Sequence, residues 1–427
     1  MIWLVPVAAT ALLASGLALA YVIGGSAVLT FIATDNARYL AILPQKVFSQ
    51  ISVFALMAMP LFILAGELMN RGGITKALID LSMALVGRMR GGLGHVNIMT
   101  SVFFAGISGS AVADAAALSN TLVPAMKQRG YTEVYAGAIT AVSSIIGPIV
   151  PPSIILIFYG AIMQTSVAAL FVAGILPGLL LALALFIQNA WFAWRYDHPR
   201  ISREEAPALV PAIITALPAI SLPLIIIGGI IFGWMTPTEA ACVAVFAALT
   251  AGSFYSGFTW SDIYESLKRT AILTGSIFIL LSAISALGHL AALERIPQAI
   301  VALVDHMNLG PVSFMLMLNL VLIVAGMVLD IAVALALLVP LLAPVALANG
   351  IDPVHLGIII CFNLSIGLVS PPLGGCLMIV STVAKINYWK LAQAVIPFVI
   401  VEILVLLVLV FVPEISLILP RAMGLWN

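Results

Sequence analysis

Long apolar runs separated by short polar segments follow one another along the whole chain, and their lengths give the first structural expectation. Stretches long enough to cross a bilayer recur from Ile2 to Leu419. A helix needs about 20 predominantly apolar residues to cross the hydrocarbon core. The pattern therefore predicts an all-α polytopic membrane protein, in which residues 2–34 are compatible with one crossing or with two.

The apolar pattern is also duplicated within the chain. Residues 106–153 and 326–373 align without a gap at an offset of 220, with 13 identities in 48 pairs. Several identities pair glycine with glycine or proline with proline, as at Gly106 and Gly326. Such residues recur where backbone geometry recurs, whereas chance matches in a hydrophobic chain would fall on Leu, Ala and Ile. We predict two structural repeats, at 1–194 and 208–427, joined by a polar linker at 195–207.

Each repeat contains two interrupted apolar segments. The first is a pair of arms, at about 92–127 and again at about 311–348, and each arm is too short for a full crossing. This length predicts a re-entrant helical hairpin with its tip inside the membrane. The second is a helix, at about 132–165 and again at about 353–385, that contains tandem prolines. Tandem prolines cannot continue a regular helix, so we predict a proline-broken transmembrane helix in each repeat.

Basic residues indicate how the two repeats are oriented. Arg88, Arg90, Lys127 and Arg129 flank the first hairpin, whereas the matching end of the second hairpin, at 348–352, has no base. Basic residues favour the cytoplasmic side of a membrane. The two hairpins are therefore expected to enter from opposite faces, as in an inverted-repeat transporter.

Two further segments have the pattern of helices that lie in the membrane interface. Residues Ala37 to Phe48 and Trp260 to Arg269 are amphipathic, and each precedes an apolar crossing. In the second repeat we expect that crossing at about Ile272 to Ala291.

Composition narrows the class of protein further. Hydrophobic residues make up 63% of the chain and charged residues 8%, so the lipid bilayer is the expected surrounding. Lys plus Arg and Asp plus Glu number 17 each, which gives no indication of a nucleic-acid partner. The cysteines Cys242, Cys361 and Cys376 lack the paired spacing of a zinc site or a disulfide framework, and we interpret them as packing residues.

The interruptions indicate where ligands would bind. Unpaired backbone groups are not tolerated in hydrocarbon, so the breaks must line a cavity enclosed by protein. Unwound carbonyls and helix C-termini suit a small cation, and helix N-termini suit a carboxylate. No cofactor is implied. The candidate substrate-binding or sodium-binding residues are Ser108, Gly109, Ser110, Asp114, Ser143, Ser144, Gly147, Pro148, Pro151, Asp330, Asn363, Ser365, Gly367, Ser370 and Pro371. Within this set, Ser108, Ser110, Asp330 and Gly367 are the candidates for Na⁺.

Asp330 is the strongest single candidate for a cation site, because a carboxylate at membrane depth is costly without a partner. Asp114 has a structural alternative, as an acceptor from Ser110 or a cap of the hairpin tip. The serines have one too, because hydroxyl groups also join membrane helices or bond to their own backbone. For Glu67 and His289 we favour structural roles.

An enzymatic alternative starts from Gly106-Ile-Ser-Gly109, since intramembrane serine proteases carry a Gly-x-Ser-Gly element. The base would be His289 or His355. This alternative does not explain why the serine-bearing segment is duplicated with Val328 in place of the serine. The sequence has no nucleotide-binding motif that would indicate ATP-driven transport. A secondary active transporter, and not an enzyme, is the favoured interpretation.

Three motifs carry a resemblance to a known family. Gly106-Ile-Ser-Gly-Ser-Ala-Val-Ala-Asp114, Gly147-Pro-Ile-Val-Pro-Pro-Ser153 and Gly367-Leu-Val-Ser-Pro-Pro-Leu-Gly-Gly375 resemble the large membrane subunit, or M subunit, of tripartite ATP-independent periplasmic (TRAP) transporters. The likeness extends over essentially the whole chain.

The resemblance implies import of an organic acid, such as a dicarboxylate or a sialic acid, coupled to a sodium gradient. It implies an elevator mechanism, in which the hairpins and broken helices move against a scaffold. It also implies a small four-helix membrane subunit, a periplasmic substrate-binding protein and a location in the bacterial inner membrane. Divalent-anion/sodium carriers share the general architecture and work without a binding protein, so a stand-alone carrier of this kind is the closest alternative.

Overall fold

The computed structural model describes residues 4–202, 205–255, 257–306 and 310–426, and within these ranges every regular element is a helix. Seven of the described helices are long and apolar enough to cross a membrane. The protein is therefore an all-α polytopic chain, as its apolar pattern predicts.

The helices up to the linker form the first half of the chain. They are α1 (Leu4–Ala14), α2 (Leu19–Ala33), α3 (Leu43–Ile51), α4 (Ala58–Arg71), α5 (Ile74–Val86), α6 (Gly92–Ser108), α7 (Ala111–Gln128), α8 (Glu133–Ser144), α9 (Ile154–Met163) and α10 (Val167–Arg195). Short 3-10 helices, Ala37–Ile42 and Phe54–Met57, precede α3 and α4.

The second half contains ten further helices. They are α11 (Leu209–Ile231), α12 (Pro237–Tyr255), α13 (Trp260–Leu293), α14 (Ile296–His306), α15 (Pro311–Gly326), α16 (Ile331–Ala348), α17 (Pro353–Gly367), α18 (Gly375–Val383), α19 (Tyr388–Phe411) and α20 (Glu414–Ala422).

The structure decides between the two alternatives for the N-terminal segment, and it corrects one expectation about the second half of the chain. The N-terminal segment forms two packed helices, α1 and α2, which are 11 and 15 residues long. The amphipathic segment at 260–269 is not a separate element, because it continues directly into the crossing as the 34-residue helix α13. At a rise of about 1.5 Å per residue this helix is roughly 50 Å long, which exceeds the hydrocarbon thickness, so its polar first turns can lie outside the bilayer core.

Polar side chains cap the N-termini of four helices that follow a hairpin tip, a break or a loop in the inner part of the chain. Ser110, Ser153, Asp330 and Asp352 are the N-cap residues of α7, α9, α16 and α17, and each accepts a hydrogen bond from a backbone amide of the following turn. Such caps satisfy amide groups that have no partner within the helix. The polar residues next to the interruptions are thus part of the reason that the helices restart there.

The helices pack as two groups. One group contains α1 to α4 and α11 to α13, together with α5, which packs on α11, and α14, which packs on α13. We call it the outer group. The inner group contains the α6–α7 and α15–α16 hairpins, the interrupted pairs α8–α9 and α17–α18, and the helices α10, α19 and α20. The main contacts between the groups are made by α6 against α4 and α5, and by α16 against α13 and α14.

The linker after α10 folds back onto the inner group. The His198 ring packs against Tyr131 and Tyr135, with ring centroids 4.9 and 4.4 Å apart. Tyr131 Oη donates to the carbonyl of Pro199 at 3.2 Å, and Asp197 pairs with Arg90. Burial lowers the pKa of His198 below its usual value. The linker is therefore docked onto the ends of α6 and α8 by rings and ion pairs.

Candidate functional site

A cavity of about 410 Å³ lies between the two groups of helices. The inner group contributes both hairpin tips, through Ser108 to Asp114 and Asp330 to Val333, together with Pro148 and Leu368 from the two interruptions. The outer group contributes one face of α4 and one face of α13. Both halves of the chain thus line the same cavity.

The first hairpin tip is a turn of two residues, Gly109 and Ser110, and only glycine fits at the first of them. Gly109 has φ +58°, and a Cβ atom there would lie 2.5 Å from the carbonyl oxygen of Pro152. A residue with a side chain would be strained by this backbone conformation and would collide with the neighbouring break. The Ser110 amide donates to Ser108 Oγ at 3.1 Å, which orders the turn further. The tip is thereby held directly against the first proline break.

Asp114 is the most constrained acidic group at the tip. It is fully buried in the first turn of α7, and Oδ1 accepts a hydrogen bond from the Ser108 hydroxyl. Oδ2 is also buried and has no hydrogen-bond partner among the described residues. A Cβ atom on Gly147 would lie 2.7 Å from this oxygen, so the carboxylate points at the backbone of the first break. A buried carboxylate oxygen beside a hydroxyl and an interrupted helix fits a small cation.

Asp330 lies at the second hairpin tip, at the repeat position of Ser110, and both residues cap a helix. Asp330 Oδ1 accepts from the amide of Ala332 at 2.9 Å. The residue is nevertheless exposed to the cavity, which it lines. Asp330 therefore combines a capping role with a negative charge that a bound ion can reach.

The second break also packs directly against its hairpin. A Cβ atom on Gly367 would lie 2.4 Å from the carbonyl carbon of Gly326 and 2.6 Å from its Cα. Gly106, the first-half counterpart of Gly326, faces Pro223 of α11 instead. The shared glycines of the two halves thus serve close backbone approach, but to different neighbours.

Ser143 and Asn363 occupy equivalent positions in the repeat alignment. Each makes hydrogen bonds to the hairpin of its own half and does not line the cavity. Ser143 shares hydrogen bonds of 3.0 Å with Ser101 and with Asn97 of α6. Asn363 Nδ2 donates to Asn319 of α15, at 2.7 Å to its side-chain oxygen. In each half a buried polar contact therefore joins the first arm of the hairpin to the interrupted helix.

Of the fifteen candidate residues, the structure brings six to the cavity wall: Ser108, Gly109, Ser110, Asp114, Pro148 and Asp330. Gly147 lies directly behind Asp114. Ser144, Ser365 and Ser370 are fully buried, and each donates to a carbonyl of the preceding helical turn. Pro151 and Pro371 begin the two cis proline pairs, Pro151–Pro152 and Pro371–Pro372.

The outer-group wall of the cavity contains polar residues that the sequence reasoning did not select. Glu67 and Asn70 line it from α4, and Ser276 lines it from α13. Glu67 drew attention as an acid in an apolar segment, but the break motifs gave no reason to connect it with the hairpin tips. Its spacing from Ile63, Gly66 and Asn70, on one helical face, is the signal that could have identified this wall.

The histidines needed by the protease alternative are engaged elsewhere. His355 Nδ1 lies 2.7 Å from Ser416 Oγ, and His289 packs against the rings of Phe31 and Tyr39. Ser108 instead donates to Asp114. Among the described residues, no group of three or more His, Cys, Asp or Glu side chains is arranged to hold a metal ion.

Interrupted helices that meet at a cavity among apolar spans define a class of membrane transporters. The chain matches the family model described as tripartite ATP-independent periplasmic transporter, DctM component, over residues 7–415. It belongs to this family, and it is therefore a transporter component and not an enzyme.

Individual proteins agree with this assignment. The chain is 38% identical to the sialic acid TRAP transporter large permease protein SiaM of Vibrio cholerae, over 92% of each chain. It is 34% identical to the C4-dicarboxylate TRAP transporter large permease protein DctM of Pseudomonas aeruginosa, over 94% of each chain. The solved YdaH transporter of Alcanivorax borkumensis shares the fold, with a TM-score of 0.64 at 15% identity and 88% coverage of each chain.

Proposed function

We propose that this chain is the large permease subunit of a sodium-coupled importer of organic acids in the bacterial inner membrane. Its partners would be a small four-helix membrane subunit and a periplasmic substrate-binding protein. Family membership supports the transporter assignment. Relatives are named for sialic acid, C4-dicarboxylates, 2,3-diketo-L-gulonate and isethionate, and we take sialic acids and C4-dicarboxylates as the first candidate substrates. Two relatives, SiaT of Haemophilus influenzae and DctMQ of Oleidesulfovibrio alaskensis, are named as TRAP transporter permease proteins, and this chain covers 61% and 64% of their lengths.

The observation that carries the proposal of sodium coupling is the buried Asp114 carboxylate. Its Oδ2, which has no hydrogen-bond partner in the part of the chain that the structure describes, points toward Gly147, and the Ser108 hydroxyl donates to its other oxygen. Leaving a charged oxygen without a partner at this depth is costly, and a bound cation would remove that cost. Asp330, on the same cavity, would provide a second negative charge. A bound cation would supply charge compensation for the organic anion.

The packing supports an elevator movement of the inner group against the outer group. The cavity lies between the two groups, and its outer wall includes Glu67 and Asn70, next to Arg71 at the end of α4. The basic residue favours a cytoplasmic location for that end. The structure would then represent an inward-facing state, with the site exposed along α4 and α13.

Reconstitution of the three-component transporter in proteoliposomes tests this function. We expect uptake of a sialic acid or a C4-dicarboxylate that requires an inward sodium gradient and the binding protein, and does not require ATP. Uptake that persists without sodium would contradict the coupling. Uptake by the large subunit alone would instead favour a stand-alone anion/sodium carrier.

A further inference from the structure

The charged side chains that line the cavity, among the described residues, are all acidic. Three acids, Glu67, Asp114 and Asp330, are among the described residues that line the cavity, and no lysine or arginine is among them. An organic anion entering this space would meet repulsion from these carboxylates unless positive charge lies nearby. Cations at the hairpin tips would offset Asp114 and Asp330. Glu67 is on the opposite wall and needs a different partner.

Arg269 is that partner. Its Nη1 lies 3.5 Å from Glu67 Oε2. Arg269 precedes the cavity-lining residues Leu273 and Ser276 by four and seven positions on α13, so all three share one helical face. The arginine therefore stands at the edge of the cavity, one helical turn from its wall.

The geometry of the pair indicates that it exchanges partners readily. The contact is single and long, and the Arg269 side chain is 61% exposed while Glu67 is only 12% exposed. A long ion pair with an exposed member contributes little to stability, so a competing carboxylate can replace Glu67 at low cost. The planar guanidinium group binds a carboxylate through two parallel hydrogen bonds, which the present contact with Glu67 does not provide.

We propose that Arg269 is the carboxylate-recognition residue of the outer group, and that Glu67 occupies it until a substrate carboxylate takes its place. This inference rests on the proposed transport of organic acids and assigns part of the site that would bind them. In the inward-facing arrangement, the substrate carboxylate would leave the hairpin tips and pair with Arg269 on its way to the cytoplasm. Glu67 would then recover the arginine after release.

Lys268 offers a matched control. It precedes Arg269 on the same helix and carries the same charge, but its ammonium group pairs with Glu265 at 3.3 Å. Lys268 does not line the cavity. Lys268→Gln therefore removes one positive charge from the same turn without touching the proposed site.

The test measures thermal stabilisation of the purified transporter by succinate and by N-acetylneuraminate, in sodium buffer. We expect both the unaltered protein and Lys268→Gln to be stabilised by at least one of the two acids. Arg269→Gln should need about tenfold or more of that acid for the same stabilisation, as expected for loss of a charge-assisted hydrogen bond. Stabilisation by sodium alone should be unchanged in Arg269→Gln, which also reports that the variant is folded.

The double variant Glu67→Gln/Arg269→Gln separates recognition from a purely structural ion pair. If Arg269 receives the substrate, Glu67→Gln binds the acid as well as or better than the unaltered protein, and the double variant keeps the full loss of Arg269→Gln. If the pair is only structural, both single variants lose stability and the double variant recovers it, which would overturn the inference.

Two further results would also overturn it: no stabilisation of the unaltered protein by either acid, or equal affinity of Arg269→Gln and Lys268→Gln. Uptake in proteoliposomes is measured independently. Sodium-dependent uptake of an organic acid combined with an unaffected Arg269→Gln would refute this site while leaving the proposed function intact.

Discussion

At the scale of single residues, the two intramembrane acids differ in how they are held. Asp114 is buried, and one of its oxygens is engaged by Ser108, whereas Asp330 is exposed to the cavity and caps α16. A variant at each position can therefore separate the charge from the structural contact.

Asp114→Asn keeps an oxygen that can accept from Ser108 but removes the negative charge. We expect the sodium concentration for half-maximal uptake to rise at least about a hundredfold, since removing one partner of a buried charge interaction costs about 3–5 kcal/mol. Ser108→Ala should leave measurable uptake with a rise of about tenfold, because it removes one hydrogen bond to a charged group. Sodium titration of uptake in proteoliposomes measures both. An unchanged sodium dependence in Asp114→Asn would show that the residue is structural.

Asp330→Asn isolates the charge of the second tip, because asparagine caps a helix about as well as aspartate. We expect normal thermal stability but strongly weakened sodium activation. Asp330→Ala should lose sodium activation and also about 1 kcal/mol of stability from the missing cap. If Asp330→Asn transports normally and only Asp330→Ala is impaired, the cap is the whole contribution of this residue.

At the scale of elements, the sequence predicts which helices and breaks exist better than it predicts which neighbours they pack against. Helical membrane segments follow from apolar length, and the proline pairs mark places where no regular helix can continue. The packing neighbours could not be predicted from the sequence. Gly106 and Gly326 occupy equivalent positions in the two hairpins, yet Gly106 faces Pro223 and Gly326 faces Gly367. The expectation of a separate interfacial helix at 260–269 is wrong, because an amphipathic turn and an apolar turn can belong to one continuous helix, as in α13.

The site shows the same division. The sequence predicts that the hairpin tips line a cavity, because short polar residues and an acid interrupt apolar arms and such a pattern is costly in lipid, and the structure places both tips on the cavity wall. Ser143 and Asn363 have the same polar character, but their contacts with α6 and α15 depend on packing between helices distant in sequence. The wall formed by α4 and α13 was not identified for the same reason, since no local pattern shows which face meets the tips.

Gly367→Ala tests the contact between the second hairpin and its broken helix. The added methyl group would meet the Gly326 backbone at 2.4 Å, so either the hairpin or the helix must move. We expect a loss of about 1–3 kcal/mol of stability, as in other overpacked sites, together with loss of transport. Gly275→Ala in α13 is the control, because a Cβ atom there would meet no heavy atom of another described element within 4 Å. Thermal unfolding that is identical for the two variants would contradict the close approach.

The docked linker gives a prediction about pH. Burial against Tyr131 and Tyr135 lowers the pKa of His198, so the folded protein binds this proton less readily than the unfolded chain does. Stability from docking is therefore present above the unfolded pKa of about 6.5 and is lost as pH falls below it toward the folded value. Limited proteolysis should cut the linker faster at pH 5.5 than at pH 7.5. His198→Gln should remove this pH dependence, and an equal dependence in that variant would contradict the assignment.

At the scale of the whole molecule, the arrangement of the two groups suggests which parts move. The inner group contains both hairpin tips and both proline breaks, and its contacts within each half include the buried links from Ser143 and Asn363. Those polar contacts resist separation of a hairpin from its broken helix, because a buried polar group without a partner is costly. We therefore expect the proposed movement to occur at the boundary with the outer group, where the cavity separates the facing walls.

Cysteine accessibility tests this movement. In a background lacking Cys242, Cys361 and Cys376, Ser110→Cys at the first tip should react with a membrane-impermeant thiol reagent from the cytoplasmic side, because Ser110 lines the cavity. Sodium together with substrate should shift the population of states and reduce this labelling. Ser261→Cys, in the first turn of α13, should label equally in both conditions, and Ser370→Cys should stay unlabelled in the present state because Ser370 is fully buried. A carrier exposes its site to one face at a time, whereas a channel exposes it to both. Labelling of Ser110→Cys from both faces in every condition would therefore rule out the elevator movement even if the transporter passes organic acids.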